Sequence, residues 1–122
     1  MSDFDDALAA ALDYQIAQAG EDITISRGGQ SGETIQGIFG SVDSPVTSGE
    51  ATITSRETSF IVRRSEYQPT GEVSEPRIGD RITRADTGEL FEVARPEGGG
   101  THFERYGGRQ YGLRVFAHLI SG

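Results

Sequence analysis

Residues 77–100, RIGDRITRADTGELFEVARPEGGG, decide which kind of fold this chain adopts. The stretch contains a Gly-Asp turn, an alternating segment, an Asp-Thr-Gly turn, a second alternating segment and a run of glycines. Glycines that cradle a phosphate lie between a strand and a helix, and a P-loop adds Lys and Ser or Thr. Here the glycines join strand to strand, and the chain has no Lys. The stretch therefore predicts two β-hairpins rather than a ligand cradle.

The N-terminal residues predict one amphipathic helix, from about residue 4 to residue 19, which ends before Gly20. Its apolar stripe recurs at every fourth position and consists of Phe4, Leu8, Leu12 and Ile16. Two interpretations of this stripe are open: it packs on the barrel of its own chain, or it docks on a neighbouring subunit. An isolated helix of this length is not fully stable in water, so the stripe needs a surface in either case.

From Glu21 onward the apolar period changes from about four residues to two, which is typical of β-strands. About seven or eight short strands with frequent turns predict a mainly β fold, a small barrel or sandwich. Gly37 falls inside a strand and predicts a bulge or a close approach of another group. Two segments without periodicity, residues 41–50 and 65–76, are expected to be loops. The predicted organisation is a helix or arm over residues 1–20 and a β-barrel domain over residues 21–122.

Composition excludes several classes of protein. The chain has no Cys, which excludes disulfides, thiolate nucleophiles and Cys-ligated metals. No apolar run is long enough to span a membrane and the N-terminus lacks a secretory signal, so we expect a soluble intracellular protein without membrane contact. The net charge is −8, and residues 1–22 hold six acids and no base. Such a chain is a poor general nucleic-acid binder.

Residues that often carry chemistry each have a structural explanation here. His102 and His118 lie on different predicted strands without a paired ligand, so neither predicts a metal site. Asp86 belongs to an Asp-Thr-Gly sequence of the kind found in aspartic proteases, but its flanks fit a tight turn better. Asp80 is expected to accept hydrogen bonds from turn amides. Ser31 lacks the surroundings of a nucleophile elbow. We therefore expect a protein that is not an enzyme and that binds no metal and no cofactor.

Four segments, in this order, carry a resemblance to a known family: SGETIQGIF, TSFIVRRSE, RIGDRIT and GELFEVARPEGGG, which follow an acidic start containing DFD. Their order, spacing and total length resemble those of the head–tail joining (stopper) proteins of long-tailed phages, the lambda type in particular. No single motif is specific, but the resemblance runs nearly end to end. It stops at about Gly107, because an apolar, strand-like tail follows where the family has a polar or basic one.

The resemblance implies a compact β-barrel subunit that is not an enzyme and needs no cofactor. Such subunits form a ring of six or twelve copies in the virion neck, assembled in the host cytoplasm. The implied partners are the portal adaptor or head completion protein on one side and the tail terminator protein on the other. The ring helps to retain DNA, which passes without sequence-specific binding, and presents the surface on which the tail docks.

Four groups of residues are expected to make these contacts. The helix stripe would face the head or a neighbouring copy. A gate or intersubunit loop would use Asp43, Ser44, Pro45, Val46 and Glu50. Tail-side or intersubunit contacts would use Tyr67, Gln68, Pro69, Pro96 and Glu97. Ion pairs would use Arg63 and Arg64.

Two alternatives are kept. A tail terminator or another ring-forming tail or neck component would share the β architecture, and a long hairpin that joins neighbours would favour it. A small ligand-binding β-barrel would need an aromatic-lined pocket. Six Phe, four Tyr and no Trp make such a pocket unpromising.

Overall fold

The computed structural model describes the backbone of residues 3–48, 51–96, 99–106 and 111–121. Side chains are described for the same residues except 3–5, 42–48 and 51–56. Helix α1 occupies Asp3–Ala19, close to the predicted range. The strands that follow are β1 Glu21–Arg27, β2 Gln30–Ser31, β3 Ile35–Ser48, β4 Ala51–Arg63, β5 Arg81–Arg84, β6 Leu90–Val93, β7 Phe103–Tyr106 and β8 Gly112–Ser121.

Six of these strands close into a barrel. Neighbouring strands follow the order β1, β3, β4, β8, β6 and β5, and β5 pairs back with β1. Strand β2 pairs with the end of β1, and β7 pairs with β8; neither belongs to the ring of six strands. The prediction of a mainly β barrel with an N-terminal helix is confirmed.

The closure between β1 and β5 follows from the alternating pattern of both strands. Ile23 and Ile25 of β1 and Ile82 of β5 are buried, and Ile25 pairs directly with Ile82. At the end of this seam, Arg84 forms an ion pair with Glu21 at 3.1 Å. Because one slip of register would turn every isoleucine outward, the apolar pattern fixes how the barrel closes.

Three phenylalanines fill the barrel interior. The ring centroids of Phe39, Phe60 and Phe91 lie 5.2 to 5.4 Å apart in tilted or edge-on arrangements, which aromatic pairs prefer. Gly37 lies where Ile23 of β1 approaches closely, since a Cβ there would be 2.7 Å from the end of that side chain. The sequence prediction of a close approach at Gly37 is thus confirmed.

Strand β8 is the apolar tail of the sequence, and it lies at the centre of the sheet. It pairs with β4 along one edge, and with β7 and then β6 along the other. Its inward residues Leu113, Val115 and Ala117 belong to the core. Without this strand the ring of six could not close.

The two hairpins predicted from residues 77–100 are partly described. Strands β5 and β6 pair antiparallel around the Asp-Thr-Gly turn, where Gly88 has a φ of 73° and its N–H donates to the Arg84 carbonyl at 2.8 Å. After β6, Gly99 and Gly100 also have positive φ before β7 begins. The first hairpin is therefore confirmed. The second is wrong, because β6 and β7, as far as the chain is described, do not pair with each other but both pair with β8. The glycines lead one strand into the next rather than open a helix.

The loop predicted over residues 41–50 is corrected by the structure. Strand β3 continues to Ser48 and β4 begins at Ala51, with paired residues from Ile38↔Ile61 to Ser48↔Ala51. Ser and Thr break the apolar alternation of this segment, which favours a loop, but both residues pair readily in a two-stranded ribbon. The second predicted loop agrees better, since residues 67–80 contain no helix or strand.

Candidate functional site

Helix α1 packs on one end of its own barrel through the second half of its apolar stripe. Leu12 and Ile16 are 1% and 3% exposed, while Leu8 is half-buried. Leu12 packs over Gly112 of β8, where a Cβ would be 2.6 Å from the leucine methyl group. Of the two interpretations of the stripe, packing on its own barrel holds for these two residues. A partner could reach Leu12 and Ile16 only if α1 left the barrel. The side chain of Phe4 lies outside the described residues.

A polar contact beside the stripe holds α1 in place. Asp13 accepts a hydrogen bond from Arg63 Nε at 2.7 Å and one from the Tyr111 hydroxyl at 2.9 Å. These two donors hold the pKa of Asp13 below its usual value. Arg63 also pairs with Glu66 at 3.2 Å. The ion pairing expected of Arg63 is therefore made within its own chain, whereas Arg64 has no ion-pair partner in the described part of the chain.

Asp80 organises the loop between β4 and β5. It is 2% exposed, and its carboxylate accepts hydrogen bonds from Arg27 Nε and Nη2 at 2.7 and 2.8 Å. It also accepts one from the Tyr67 hydroxyl at 2.7 Å and one from the Arg77 backbone N–H at 2.9 Å. The expectation that Asp80 accepts a turn amide is confirmed. Four donors from three segments make this carboxylate a structural anchor.

The same anchor fixes the middle of the loop. Arg27 Nη1 donates to Ser74 Oγ at 2.8 Å, and Nη2 donates to the Glu75 carbonyl at 2.9 Å. At the following turn, the carbonyl of Pro76 accepts a hydrogen bond from His102 Nε2 at 2.7 Å. A loop of this length without regular structure is thereby held against the barrel at several points.

The residues of this loop that are expected to contact the tail differ in how far they are buried. Tyr67 and Pro69 are fully buried in the core of their own chain, and Gln68 is half-buried. The large apolar side chains that the loop exposes are Val73 and Ile78, at 54% and 55%. Sequence reasoning missed both, because a single apolar residue in a polar segment gives no periodic signal.

The other predicted contact residues are placed as follows. Pro96 is half-buried and lines a groove beside β8, and Glu97 lies outside the described residues. Backbone pairing places Asp43 opposite Arg56, Ser44 opposite Ser55, Pro45 opposite Thr54 and Val46 opposite Ile53. The side chains of these eight residues, and all of Glu50, lie outside the described part.

A groove on the outer surface of the barrel was not predicted. It crosses β3, β4 and β8, has a volume of about 220 Å³, and is lined by Ile38, Gly40, Glu57, Ser59, Ile61, Arg114 and Phe116; we call it the outer groove. Two smaller or equal grooves, of about 90 and 220 Å³, adjoin it and share Glu57 and Phe116 with it. The outer groove is therefore part of a longer surface depression.

The sequence does carry a signal for this groove. Consecutive apolar residues occur on three neighbouring strands, as Ile38-Phe39, Phe60-Ile61 and Val115-Phe116. Because successive side chains of a strand point to opposite faces, only one member of each pair can enter the core. The other member, Ile38, Ile61 or Phe116, must then lie on the outer face, where it lines the outer groove.

The residues considered for chemistry lie apart from one another. Asp86 is exposed in the β5–β6 turn, His118 is exposed on β8, and Ser31 is exposed on the two-residue strand β2. His102 donates to a backbone carbonyl and lies edge-on to the Phe103 ring. Within the described residues, no group of three or more His, Cys, Asp or Glu is arranged to hold a metal ion.

The structure thus defines a class of protein in which the prominent features are surfaces for contact with other proteins. A packed barrel carries a docked helix, an anchored loop with exposed apolar side chains, a long β3–β4 hairpin and an outer groove. No helix in the described ranges is long and apolar enough to cross a membrane. These features suit a subunit that assembles with other proteins.

A family comparison agrees with this class. The family described as Phage Head-Tail Attachment protein matches residues 1–104, and the chain belongs to that family. Its role therefore lies in phage head–tail joining, among head and tail components of the virion. No curated protein matches the chain. The matched residues end before β8, which agrees with the departure of the tail sequence from the family pattern.

Proposed function

We propose that this protein is the stopper of the virion neck, a ring-forming subunit between the portal adaptor and the tail. It is structural rather than catalytic, helps to retain packaged DNA and presents the surface on which the tail docks. The observation that carries the proposal is the family match over residues 1–104, on a chain that folds into a closed barrel. Assembly takes place in the host cytoplasm before the tail is added.

Charge supports a place beside the DNA. The chain carries a net charge of −8, and its N-terminal 22 residues contain six acids and no base. A wall of like charge lets DNA slide past, because it offers few cations to neutralise phosphates. We propose that acids of the N-terminal segment or of the β3–β4 hairpin, such as Asp43 and Glu50, face the channel or the tip of the DNA.

Symmetry supports six or twelve copies. The ring must match a portal of twelve subunits above and a tail of six below, as the family resemblance implies. A closed ring needs a head-to-tail contact between two different surfaces of each copy. The docked helix and the outer groove supply two such surfaces.

The proposal is tested by cryo-electron microscopy of particles with and without the protein, together with nuclease protection of the packaged DNA. It predicts six or twelve barrels around the channel at the head–tail junction. It also predicts DNA that becomes accessible to nuclease when the protein is missing. Barrels located elsewhere in the particle, with fully protected DNA in the mutant, would contradict it.

A second candidate is a ring-forming tail component such as a tail terminator. The observation that favours it is the β3–β4 hairpin, whose paired residues run for eleven positions from Ile38↔Ile61 to Ser48↔Ala51. Residues 51–57 of β4, which precede Thr58, pair with β3 alone in the described structure, so this part of the hairpin is free to join a neighbour. Mutant particles with normal filled heads and tails of abnormal length would select this candidate, because a stopper mutant leaves tails of normal length.

A further inference from the structure

The outer groove is an apolar surface where a barrel wall is usually polar. Two cross-strand rows build it: Ile38, Ile61 and Arg114 form one row, and Gly40, Ser59 and Phe116 form the next. The small side chains of the second row leave a shallow floor between the isoleucines and Phe116. A Cβ on Gly40 would touch Ser59 Oγ only at 3.7 Å, so the floor is open rather than tightly packed.

One hydrogen-bond donor at the outer groove has no acceptor among the described residues. Arg114 Nε is buried and has no hydrogen-bond partner within the described part of the chain. Its Nη1 atom reaches Glu104 at 3.4 Å, and the guanidinium lies 5.2 Å from the centre of the Tyr106 ring. A buried donor without an acceptor is costly, so a partner that supplies an acceptor as the guanidinium turns outward is favoured.

One tyrosine hydroxyl has no hydrogen-bond partner among the described residues. The hydroxyls of Tyr67, Tyr106 and Tyr111 all make hydrogen bonds within the chain. Tyr14 on α1 is 68% exposed, and no hydrogen bond of its hydroxyl is found in the described residues. An exposed tyrosine combines a large apolar area with a polar tip, which is why such residues are enriched at interfaces.

From Ala7 to Gln18, the helix face that includes Tyr14 carries no charge. By helical periodicity this face, opposite Leu12 and Ile16, comprises Ala7, Ala10, Ala11, Tyr14, Ala17 and Gln18, all of them exposed. A solvent-facing helix surface normally carries charged residues. The alanines allow a close approach, and the 17 residues of α1 span roughly 25 Å, against about 10 Å from β3 to β8.

We propose that the outer groove receives the uncharged face of α1 from a second copy of this chain, with Tyr14 over the Gly40–Ser59 floor and its hydroxyl accepting from Arg114 Nε. The charges near the groove, Glu57, Glu104 and Arg114, do not favour a strongly charged occupant, and this helix face carries no charge between Ala7 and Gln18. The two surfaces differ, so each copy offers one to the next in a head-to-tail contact. The inference rests on the proposed function for taking copies of this chain as partners.

The test is sedimentation velocity of the full-length chain at low salt, over concentrations up to about 1 mM, where weak contacts appear. Tyr14→Ala and Ser59→Arg are each expected to weaken self-association by roughly thirtyfold, as for a central interface residue. Val73→Ala is the matched control, because it also shortens an exposed apolar side chain but lies outside both surfaces, and it is expected to associate like the wild type. Circular dichroism checks that each variant is folded.

Mixing the two variants gives the sharpest result. Tyr14→Ala keeps a working groove and Ser59→Arg keeps a working helix face, so the mixture should form one-to-one pairs and nothing larger. A second pair, Tyr14→Phe and Arg114→Gln, should each lose affinity, and the double variant should lose no more than the worse single one. A wild-type chain that stays monomeric, or variants that associate unchanged, would overturn the proposal, as would a mixture that forms no pairs.

The same variants separate this inference from the proposed function. If the wild type associates through these surfaces but joins no heads to tails, the contact stands and the stopper assignment fails. If the wild type joins heads to tails and Tyr14→Ala both associates and joins equally well, the contact is wrong and the assignment stands.

Discussion

The carboxylate of Asp80 accepts hydrogen bonds from Arg27 of β1, from Tyr67 in the loop between β4 and β5, and from Arg77 in the turn before β5. Burial alone would raise the pKa of Asp80, but the donors Arg27, Arg77 and Tyr67 together hold it below its usual value of 3.8. Burial, and then the bond to Asp80, raise the pKa of the Tyr67 hydroxyl, which therefore stays protonated. This single side chain thus fixes the path of residues 67–80.

The variant Asp80→Asn tests this anchor. It removes the charge that faces Arg27, a guanidinium only 18% exposed, and leaves a cation without its partner. Breaking a buried ion pair costs about 3 to 5 kcal/mol, and we expect a loss of stability in that range. Urea unfolding measures it. The matched control is Asp86→Asn in the exposed β5–β6 turn, which should change stability by less than about 0.5 kcal/mol. Equal effects of both variants would contradict the anchor.

The acid stability of the protein should depend on the same residue. The pKa of Asp80 is lower in the folded chain than in the unfolded chain, so as the pH falls the unfolded state binds the proton first. The stabilisation is present above a pH of about 4 and is lost as the pH falls through the folded pKa. Unfolding free energies of wild type and Asp80→Asn should therefore converge towards low pH. A constant difference from pH 7 down to pH 2 would contradict this.

At the scale of elements, α1 is attached to the barrel by a small contact. Among the side chains described for α1, Leu12 and Ile16 are the large fully buried ones, and burying each is worth about 1.5 to 3 kcal/mol. The ion pair of Asp13 with Arg63 is half-exposed and therefore contributes little. The helix therefore depends on the fit of Leu12 over Gly112.

The variant Gly112→Ala is expected to loosen α1. Its Cβ would lie 2.6 Å from the Leu12 methyl group and 2.5 Å from the Tyr106 carbonyl, so helix or strand must shift. Overpacking of this kind costs about 1 to 3 kcal/mol. Hydrogen exchange of the α1 amides should accelerate more than exchange of the β-strands. Gly40→Ala is the control, because its Cβ meets only an ordinary contact, and it should leave exchange unchanged. Unchanged exchange of α1 in Gly112→Ala would contradict the fit.

The β3–β4 hairpin should show two levels of protection. Residues 58–61 of β4 pair with both β3 and β8, whereas residues 51–57 pair with β3 alone. A two-stranded ribbon is marginally stable in water, so its amides should exchange faster in the isolated subunit. Hydrogen exchange read by mass spectrometry measures this, and assembly into the ring should slow exchange in residues 51–57. Equal protection of both halves in the subunit would contradict the pairing.

The sequence predicted part of this architecture. Periodicity identified α1, the β5–β6 hairpin, the apolar tail strand and the close approach at Gly37. It did not reveal that residues 41–48 and 51–57 pair, because a Ser- and Thr-rich ribbon lacks apolar alternation. Nor did it find the Arg27–Asp80 pair, since the two residues are far apart in sequence and only the closed barrel brings them together.

At the scale of the whole molecule, the barrel is a scaffold for contacts on several sides. Its interior is filled by side chains, among them Phe39, Phe60 and Phe91, which leaves little room for the small-molecule pocket of a ligand-binding barrel. The grooves lie on the outer surface instead. A packed barrel with exposed grooves, an anchored loop and a docked helix suits a subunit that joins larger assemblies.

The measurement that tests the central claim most directly is a joining assay. Purified protein is added to DNA-filled heads that lack it, together with free tails, and joined particles are counted by electron microscopy. The account predicts that joining depends on the protein, and that a chain without residues 1–19 does not support it. A folded protein that leaves heads and tails separate, or that changes only the length of the tail, would contradict the head–tail joining role.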